Sequence, residues 1–385
     1  MKTTRQNFEQ FKLDSLKSAK RVVIKVGSAV LTTPRGLDLR VISRLIDDIS
    51  LVHDQGKEVV LVSSGAVAAG CKVMSSCKLK PELTYKQATS AIGQSRLMHL
   101  YDEGFARFSK VTAQVLLTRD DLRDRERFLN ARNTFLKLLE WRVIPVVNEN
   151  DTVAVQELKF GDNDQLAALI LNLVEADLFI NLTSAQGVFD KNPQLYPEAR
   201  KIDYIEDITS LDLNSLCEGS SAEGTGGMYS KLLAAKRAAQ IGVPTVILPG
   251  KERFILEKLF QGQNVGTWVL PEEKKISRRK FWLAYNLDPE GKVIVDKGAG
   301  LALQKGKSLL PVGIKEVEGE FGKGALLSIL SEDGEIIGVG LSNYSSADIA
   351  KMLGCKSSEL KDLLDESFVY PEVIHADNLL LKAYF

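Results

Sequence analysis

The sequence is poor in the residues that most often organise metal and disulfide chemistry. Four cysteines (Cys71, Cys77, Cys217 and Cys355) and three histidines stand among 385 residues. No two cysteines form a CxxC pair. A zinc cluster or a dense disulfide framework is therefore not expected, and a reducing cytoplasm is the simplest home. A Ser–His–Asp arrangement is unattractive with so few histidines. Charge of one sign is also missing, since 50 Lys and Arg balance 50 Asp and Glu. That balance argues against a protein built to coat nucleic acid or an acidic membrane. The richest apolar run, LAALILNLV, is too short to span a bilayer and is broken by Asn172. Residues 1–20 carry Glu9 and Asp14 and no apolar block, so they do not read as a secretion signal. They read as a short helical extension without evident chemistry. Two phosphate-binding fingerprints are absent: GxxxxGK[ST] does not occur, and no GxGxxG follows the first strand.

What is present is a strand–helix alternation. The runs at 21–27, 58–66, 111–117, 142–151, 177–187 and 244–250 are continuous, apolar and rich in β-branched residues, as buried strands are. Helical spacing fills 38–54, 84–108, 126–140, 164–175 and 228–241. Such a pattern predicts an α/β fold, a mainly parallel sheet sandwiched by helices. The texture changes near residue 270, where LPEEKKISRRK reads as a linker. Beyond it, closely spaced glycines and short strand-like pieces predict a small, mostly β domain with a short helix at 345–354. The expected organisation is an extension at 1–19, a large domain at 20–272, a small domain at 278–360 and a tail at 361–385. A length of 385 residues suits two domains.

In parallel sheets, ligands bind outside the carboxyl ends of the strands. The unusual residues sit at those ends. GTGGMYSK, Gly224 to Lys231, crowds glycines beside a helix start, which makes sense where backbone N–H groups approach a phosphate. Lys25 lies inside an apolar strand just before Gly27. Either it reaches solvent from the strand end or it meets an anion. Lys231 is either a solvated helix lysine or a second cation for the same anion. Together the two suggest a grip on a polyphosphate. NEND at 148–151 and GDND at 161–164 are either turn and cap residues or groups that hold an ammonium, a hydrated Mg²⁺ or the two lysines. VSSGAVAAG at 62–70 reads equally well as an anion-receiving helix start and as tight helix–sheet packing through small residues.

Taken in order, VVIKVGS, VSSGAVAAG, LLTRDDLRDRERFLNARNTF, VIPVVNENDTVA, FGDNDQLAALI and GTGGMYSKLLAAKRAAQIGVPTVI resemble the amino acid kinase family over about residues 20–272. The stretch from about 278 to 360 resembles a PUA domain. The lysine–glycine opening and the TGGM turn are shared across several kinases of this fold. SSGAVAAG, DRERFLNAR and the NEND and GDND pair are more selective. They imply the branch in which ATP phosphorylates the γ-carboxylate of L-glutamate to L-glutamyl 5-phosphate, the first step of proline biosynthesis.

The resemblance implies a role for each matching residue. Lys25 and Lys231 would contact ATP and stabilise the moving phosphoryl group. Asp162 and Asp164 would orient the lysines and the hydrated Mg²⁺. Thr183, Ser184 and the run Thr225, Gly226, Gly227, Met228, Tyr229, Ser230 and Lys231 would bind the nucleotide. Ser64, Asp151 and Asn163 would bind glutamate. The sequence departs from the pattern at Ser184, where the family usually has aspartate. The resemblance also implies feedback by proline around 149–163, a homo-oligomer (dimer or tetramer) and hand-off of the product to glutamyl phosphate reductase.

Kinases of acetylglutamate, aspartate, carbamate or UMP are the neighbouring readings. An RNA-binding role for the tail is disfavoured, because over 278–385 there are 13 Lys and Arg against 16 Asp and Glu, a net of −3. A structural or regulatory appendage is the favoured reading of that domain.

Overall fold

The computed structural model describes residues 4–34, 36–74, 82–154, 163–193, 195–217, 227–286, 288–356, 359–360, 363 and 370–382. The chain divides into two compact units, Met1–Lys275 and Ile276–Phe385.

The strands of the first unit are β1 (Arg21–Val26), β2 (Thr32–Thr33), β3 (Gly36–Leu37), β4 (Glu58–Ser63), β5 (Thr112–Leu117), β6 (Ile144–Glu149), β7 (Leu178–Thr183), β8 (Tyr204–Ile205), β9 (Thr245–Pro249) and β10 (Thr267–Val269). Its helices are α1 (Arg5–Ser18), α2 (Ser28–Leu31), α3 (Leu39–Asp54), α4 (Ala66–Val73), α5 (Leu83–Ala106), α6 (Arg119–Arg123), α7 (Arg125–Glu140), α8 (Asn163–Leu173), α9 (Leu213–Leu216), α10 (Met228–Gln240) and α11 (Ile255–Phe260). Eight strands form one sheet in the order β5-β6-β4-β1-β7-β9-β10-β8, and β2 pairs with β3 in a separate hairpin. The sheet is parallel except where β10 runs antiparallel to β9.

The sheet is buried on both faces, which is why its strands lack alternation. All six residues of β7 and all five of β9 are buried. Helix α3 shows how the cover is written. Asp38 caps it by accepting hydrogen bonds from the Arg40 and Val41 N–H groups. Val41, Ile42, Leu45, Ile46, Ile49 and Val52 then form its buried stripe against the sheet. Helix α1 belongs to this core. Phe8 stacks on Tyr204 at 4.3 Å between ring centroids and meets the edge of Trp268. Burying such a side chain is worth roughly 1.5–3 kcal/mol, so the N-terminal residues are an integral part of the unit.

Two expected strands end earlier than their apolar runs suggest. The 58–66 run stops at Ser63 because Gly65 takes a left-handed φ of 107° and opens α4. The 177–187 run stops at Thr183, and the chain then turns through Gly187, whose φ is 143°. Only glycine adopts these conformations without strain.

Helices α4 and α5 cross with almost no space between them. A Cβ on Gly93 would lie 1.7 Å from the Ala66 carbonyl oxygen, and one on Gly70 would lie 1.9 Å from the Thr89 carbonyl oxygen. The small residues of VSSGAVAAG therefore serve helix–helix contact rather than the helix–sheet contact their spacing suggested.

The second unit holds α12 (Arg278–Asn286), β11 (Gly291–Val295), α13 (Lys297–Gln304), β12 (Ile314–Glu318), β13 (Leu326–Ser331), β14 (Ile336–Leu341), α14 (Ser346–Met352) and β15 (Leu379–Leu381). Its five strands order as β12-β11-β13-β14-β15, with β11 and β13 parallel and the other pairs antiparallel. Val293, Val295, Leu327, Ile329, Ile349 and Met352 lie in its core. A capping box joins Ser345 and Asp348 at the start of α14.

Candidate active site

The order of the first sheet places β1 between β4 and β7. The chain runs from β1 to one side and returns to the other, so a crevice opens at the carboxyl end of β1. A cavity of about 910 Å³ lies there.

Lys25 is the fifth residue of β1, beside Val62 of β4 and Asn181 of β7. It is 2% exposed. A charged lysine at that depth needs a counter-charge. Its Nζ lies 2.5 Å from Oδ1 of Asp164, which stands in the first turn of α8. Lys231, in the first turn of α10, places its Nζ 3.1 Å from Oδ2 of the same carboxylate. Two further donors join them: Asn181 Nδ2 at 2.9 Å from Oδ1 and Ser230 Oγ at 2.7 Å from Oδ2. Burial alone would push the Asp164 carboxyl up. The ammonium groups of Lys25 and Lys231, with hydrogen bonds from Lys25 and Ser230, outweigh it and hold the pKa down at about 2.

A further part of the cavity wall comes from the ends of β4 and β6 and the first residue of α8, with α5 packed against it. Asn163 Nδ2 lies within hydrogen-bond distance of Ser64 Oγ (3.0 Å), the Ser63 carbonyl oxygen (3.1 Å) and Asn148 Oδ1 (2.9 Å). Asn148 in turn donates to Gln94 Oε1 at 2.9 Å. Ser90 Oγ donates to Asp151 Oδ2 at 2.8 Å. Tyr101 and Ser63 share a buried hydrogen bond of 2.8 Å beneath this wall.

Of the residues singled out in the sequence, Lys25, Ser64, Asp151, Asn163, Thr183, Ser184 and Lys231 line this one cavity. Asp164, fully buried, lies behind the lysines and Ser230 turns towards it. Gly227 caps α10 with an ordinary φ of −70° and open space where a Cβ would stand. Neither strain nor crowding demands glycine at that place, and the space suits close approach of a ligand to the backbone. Met228 and Tyr229 begin α10 but are not among the cavity-lining residues. Asp162, Thr225 and Gly226 lie outside the described residues.

Several residues of this site carry a weak sequence signal or none. Asn181 was legible as a lone carboxamide inside the apolar run LFINLT. Gln94 and Ser90 were hidden in a helix whose polar residues gave no spacing signal. Cys71 also lines the cavity and is disulfide-bonded; Cys217 and Cys355 are free.

Among the described residues the donor set fits a Mg²⁺ carried by the phosphates rather than one held by a carboxylate cluster. Both Asp164 oxygens already accept hydrogen bonds, and among the described residues no three His, Cys, Asp or Glu side chains group for a metal. Such a cation keeps its waters and leans on substrate oxygens.

Comparison with known proteins places the chain. Residues 20–249 match the amino acid kinase family and residues 291–364 match the PUA domain. The chain belongs to the amino acid kinase family, and it is a kinase with a PUA domain. Within that family its full-length likeness is to the glutamate 5-kinases. That of Maridesulfovibrio salexigens is 59% identical over 97% of this chain and 99% of its own length. That of Nitratidesulfovibrio vulgaris is 59% identical over 96% of this chain and 97% of its own. That of Geobacter metallireducens is 48% identical over 95% and 98% respectively. A solved carbamate kinase from Giardia lamblia bound to AMP-PNP superposes with a TM-score of 0.49 at 15% identity, over 66% of this chain and all of that one. Among the described residues no helix is long and apolar enough to cross a membrane.

Proposed function

We propose that the chain transfers the γ-phosphoryl group of ATP to the γ-carboxylate of L-glutamate, giving L-glutamyl 5-phosphate and ADP, the opening step of proline synthesis. The observation that carries this reading is the Lys25–Asp164–Lys231 group, two cations held by one carboxylate at a cavity that Asp151, Asn163 and Ser64 also line.

The chemistry follows from charge. A carboxylate oxygen attacks the terminal phosphorus, a new P–O bond forms, and the bond to the bridging oxygen breaks with its electrons leaving on ADP. The nucleophile is already ionised, so no general base is needed. What is needed is alignment and relief of repulsion between anions. At 4 Å and an effective dielectric near 20, each lysine–phosphoryl charge pair is worth roughly 4 kcal/mol. Asp164 sets the distance between the two ammonium groups without touching substrate. Mg²⁺ arriving with ATP supplies further neutralisation of the phosphates. Asp151 suits the substrate ammonium; Ser64 and Asn163 suit its carboxylates. Thr183 and Ser184, which line the cavity, and Gly227 at the start of α10 suit the nucleotide; Thr225, Gly226 and Asp162 are assigned on the family resemblance alone.

Proline as a feedback ligand near 149–163, a homo-oligomer, transfer of the labile product to a reductase and a cytoplasmic setting belong to the same proposal and rest on the family resemblance alone. The test is ADP release with ATP, Mg²⁺ and each of L-glutamate, acetylglutamate, aspartate, carbamate and UMP, with and without proline. Turnover restricted to L-glutamate, with a hydroxamate trapped by hydroxylamine, is expected. Faster turnover of any other acceptor would overturn the assignment.

A further inference from the structure

The wall that presents Asp151 is read by one face of α5. Gln87 Nε2 donates to the Ala154 carbonyl oxygen at 3.1 Å, Ser90 Oγ to Asp151, and Gln94 accepts from Asn148. Positions 87, 90 and 94 follow the helical repeat, so successive turns of α5 meet the 148–154 segment. Lys86 is four residues before Ser90 and occupies the same face one turn earlier. It lines the cavity with Asp151 and is exposed; its backbone N–H bonds the Glu82 carbonyl oxygen, while its side chain makes no hydrogen bond or ion pair with a described residue.

An α-amino acid carries its ammonium and α-carboxylate on one carbon. A site that takes the ammonium at Asp151 must therefore meet the α-carboxylate close by. Lys25 and Lys231 are committed to the phosphoryl end and are held there by Asp164. We propose that Lys86 is a substrate-binding residue that pairs with the α-carboxylate of the amino-acid substrate and selects free amino acids over their α-blocked forms. This proposal rests on the glutamate reading above and assigns its third charge. Lys72 lines the same cavity from α4. Its stem is stacked on the β2–β3 hairpin, where a Cβ on Gly36 would lie 2.6 Å from Lys72 Cδ, which makes it a matched comparison.

The test is steady-state kinetics with L-glutamate and with its α-amide, which keeps the ammonium and the γ-carboxylate. The wild type should favour glutamate in kcat/KM by about tenfold or more, the scale of a charge-assisted hydrogen bond. Lys86→Met should raise KM for glutamate by about tenfold with kcat and the KM for ATP within about twofold, the signature of lost ground-state binding. It should leave the α-amide unaffected, so the preference collapses towards one. Lys86→Arg should keep the preference, and Lys72→Met should leave the ratio between the two substrates in place. An unchanged ratio in Lys86→Met, equal losses on both substrates, or collapse in Lys72→Met instead would overturn the proposal. Wild-type turnover of neither substrate would bring down the glutamate reading itself and this proposal with it, an outcome distinct from a functional enzyme whose preference ignores residue 86.

Discussion

Lys25 and Lys231 come from strands and helices more than 200 residues apart in sequence, yet their ammonium groups lie 2.5 and 3.1 Å from the two oxygens of a single buried carboxylate, Asp164. Asp164→Ala leaves both cations buried and facing one another. Breaking a buried pair this way costs on the order of 3–5 kcal/mol. The unliganded variant should melt at a lower temperature. A bound nucleotide replaces part of the lost negative charge, so ATP analogues should raise its melting temperature by more than they raise that of the wild type. Thermal melts with and without AMP-PNP check this, and an equal increment in both proteins would contradict it.

The Asp164 carboxyl is depressed to about 2, against 3.8 for an ordinary aspartate. A depressed carboxylate contributes stability that is present above the ordinary value and is lost as pH falls through the depressed one. Acid unfolding of the wild type should therefore carry a component between about pH 4 and pH 2. It should be absent from Asp164→Asn, measured by chemical denaturation along a pH series.

Removing either cation tests the chemistry. Lys25→Ala and Lys231→Ala should each lose on the order of 10²-fold or more in kcat, the scale of one lost charge-stabilising donor. Full-rate turnover by either variant, measured by coupled ADP release, would show that its ammonium does not attend the reaction. Asp151→Ala should instead raise KM for glutamate far more than KM for ATP.

Glycine at position 93 is predicted to matter although it carries no charge and lines no cavity. Gly93→Ala drives a methyl group into the Ala66 carbonyl and the Gly70 nitrogen, pushing α4 from α5. Overpacking of this kind costs roughly 1–3 kcal/mol. Because Ser64 and Gly65 lead into α4, the same change should raise KM for glutamate. Denaturation midpoints and kinetics of one preparation read both effects.

A second pH effect lies far from the site. Asp48 on α3 accepts a hydrogen bond from the Leu256 N–H at 3.2 Å, and burial raises its pKa to about 6. A raised carboxylate adds stability that is full below the ordinary 3.8 and is lost as pH rises through about 6. His53, on the same helix, is pushed by burial to about 4 and acts in the opposite sense over an overlapping range. The wild-type profile is thus a difference of the two. Asp48→Asn isolates one of them. It should be more stable than the wild type at pH 8, by on the order of 1–2 kcal/mol after discounting for solvent screening, with the advantage fading below about pH 4.

The fold was legible because the strands of the first sheet are continuous apolar runs, a pattern that only two-sided burial explains. Lys25 stood out for the same reason, as a charge inside such a run, and Lys231 for its glycine-rich approach. Asp164 could be read equally as a helix cap, since its partners lie on β1 and α10 and no local pattern links them. The crossing of α4 and α5 was hidden because Gly70 and Gly93 are ordinary small residues until their backbones meet. Gln87, Ser90 and Gln94 share a helix face whose contacts form only where the 148–154 segment packs against it. Short-range signals gave the elements and their capping, and long-range pairing gave the site.

The most direct measurement is a structure with AMP-PNP, Mg²⁺ and L-glutamate bound together. The account predicts that both Nζ atoms reach hydrogen-bond distance of terminal phosphoryl oxygens, about 3 Å, while the γ-carboxylate points in line at the phosphorus. A closed complex with either ammonium group well beyond direct contact with that phosphoryl group would contradict it.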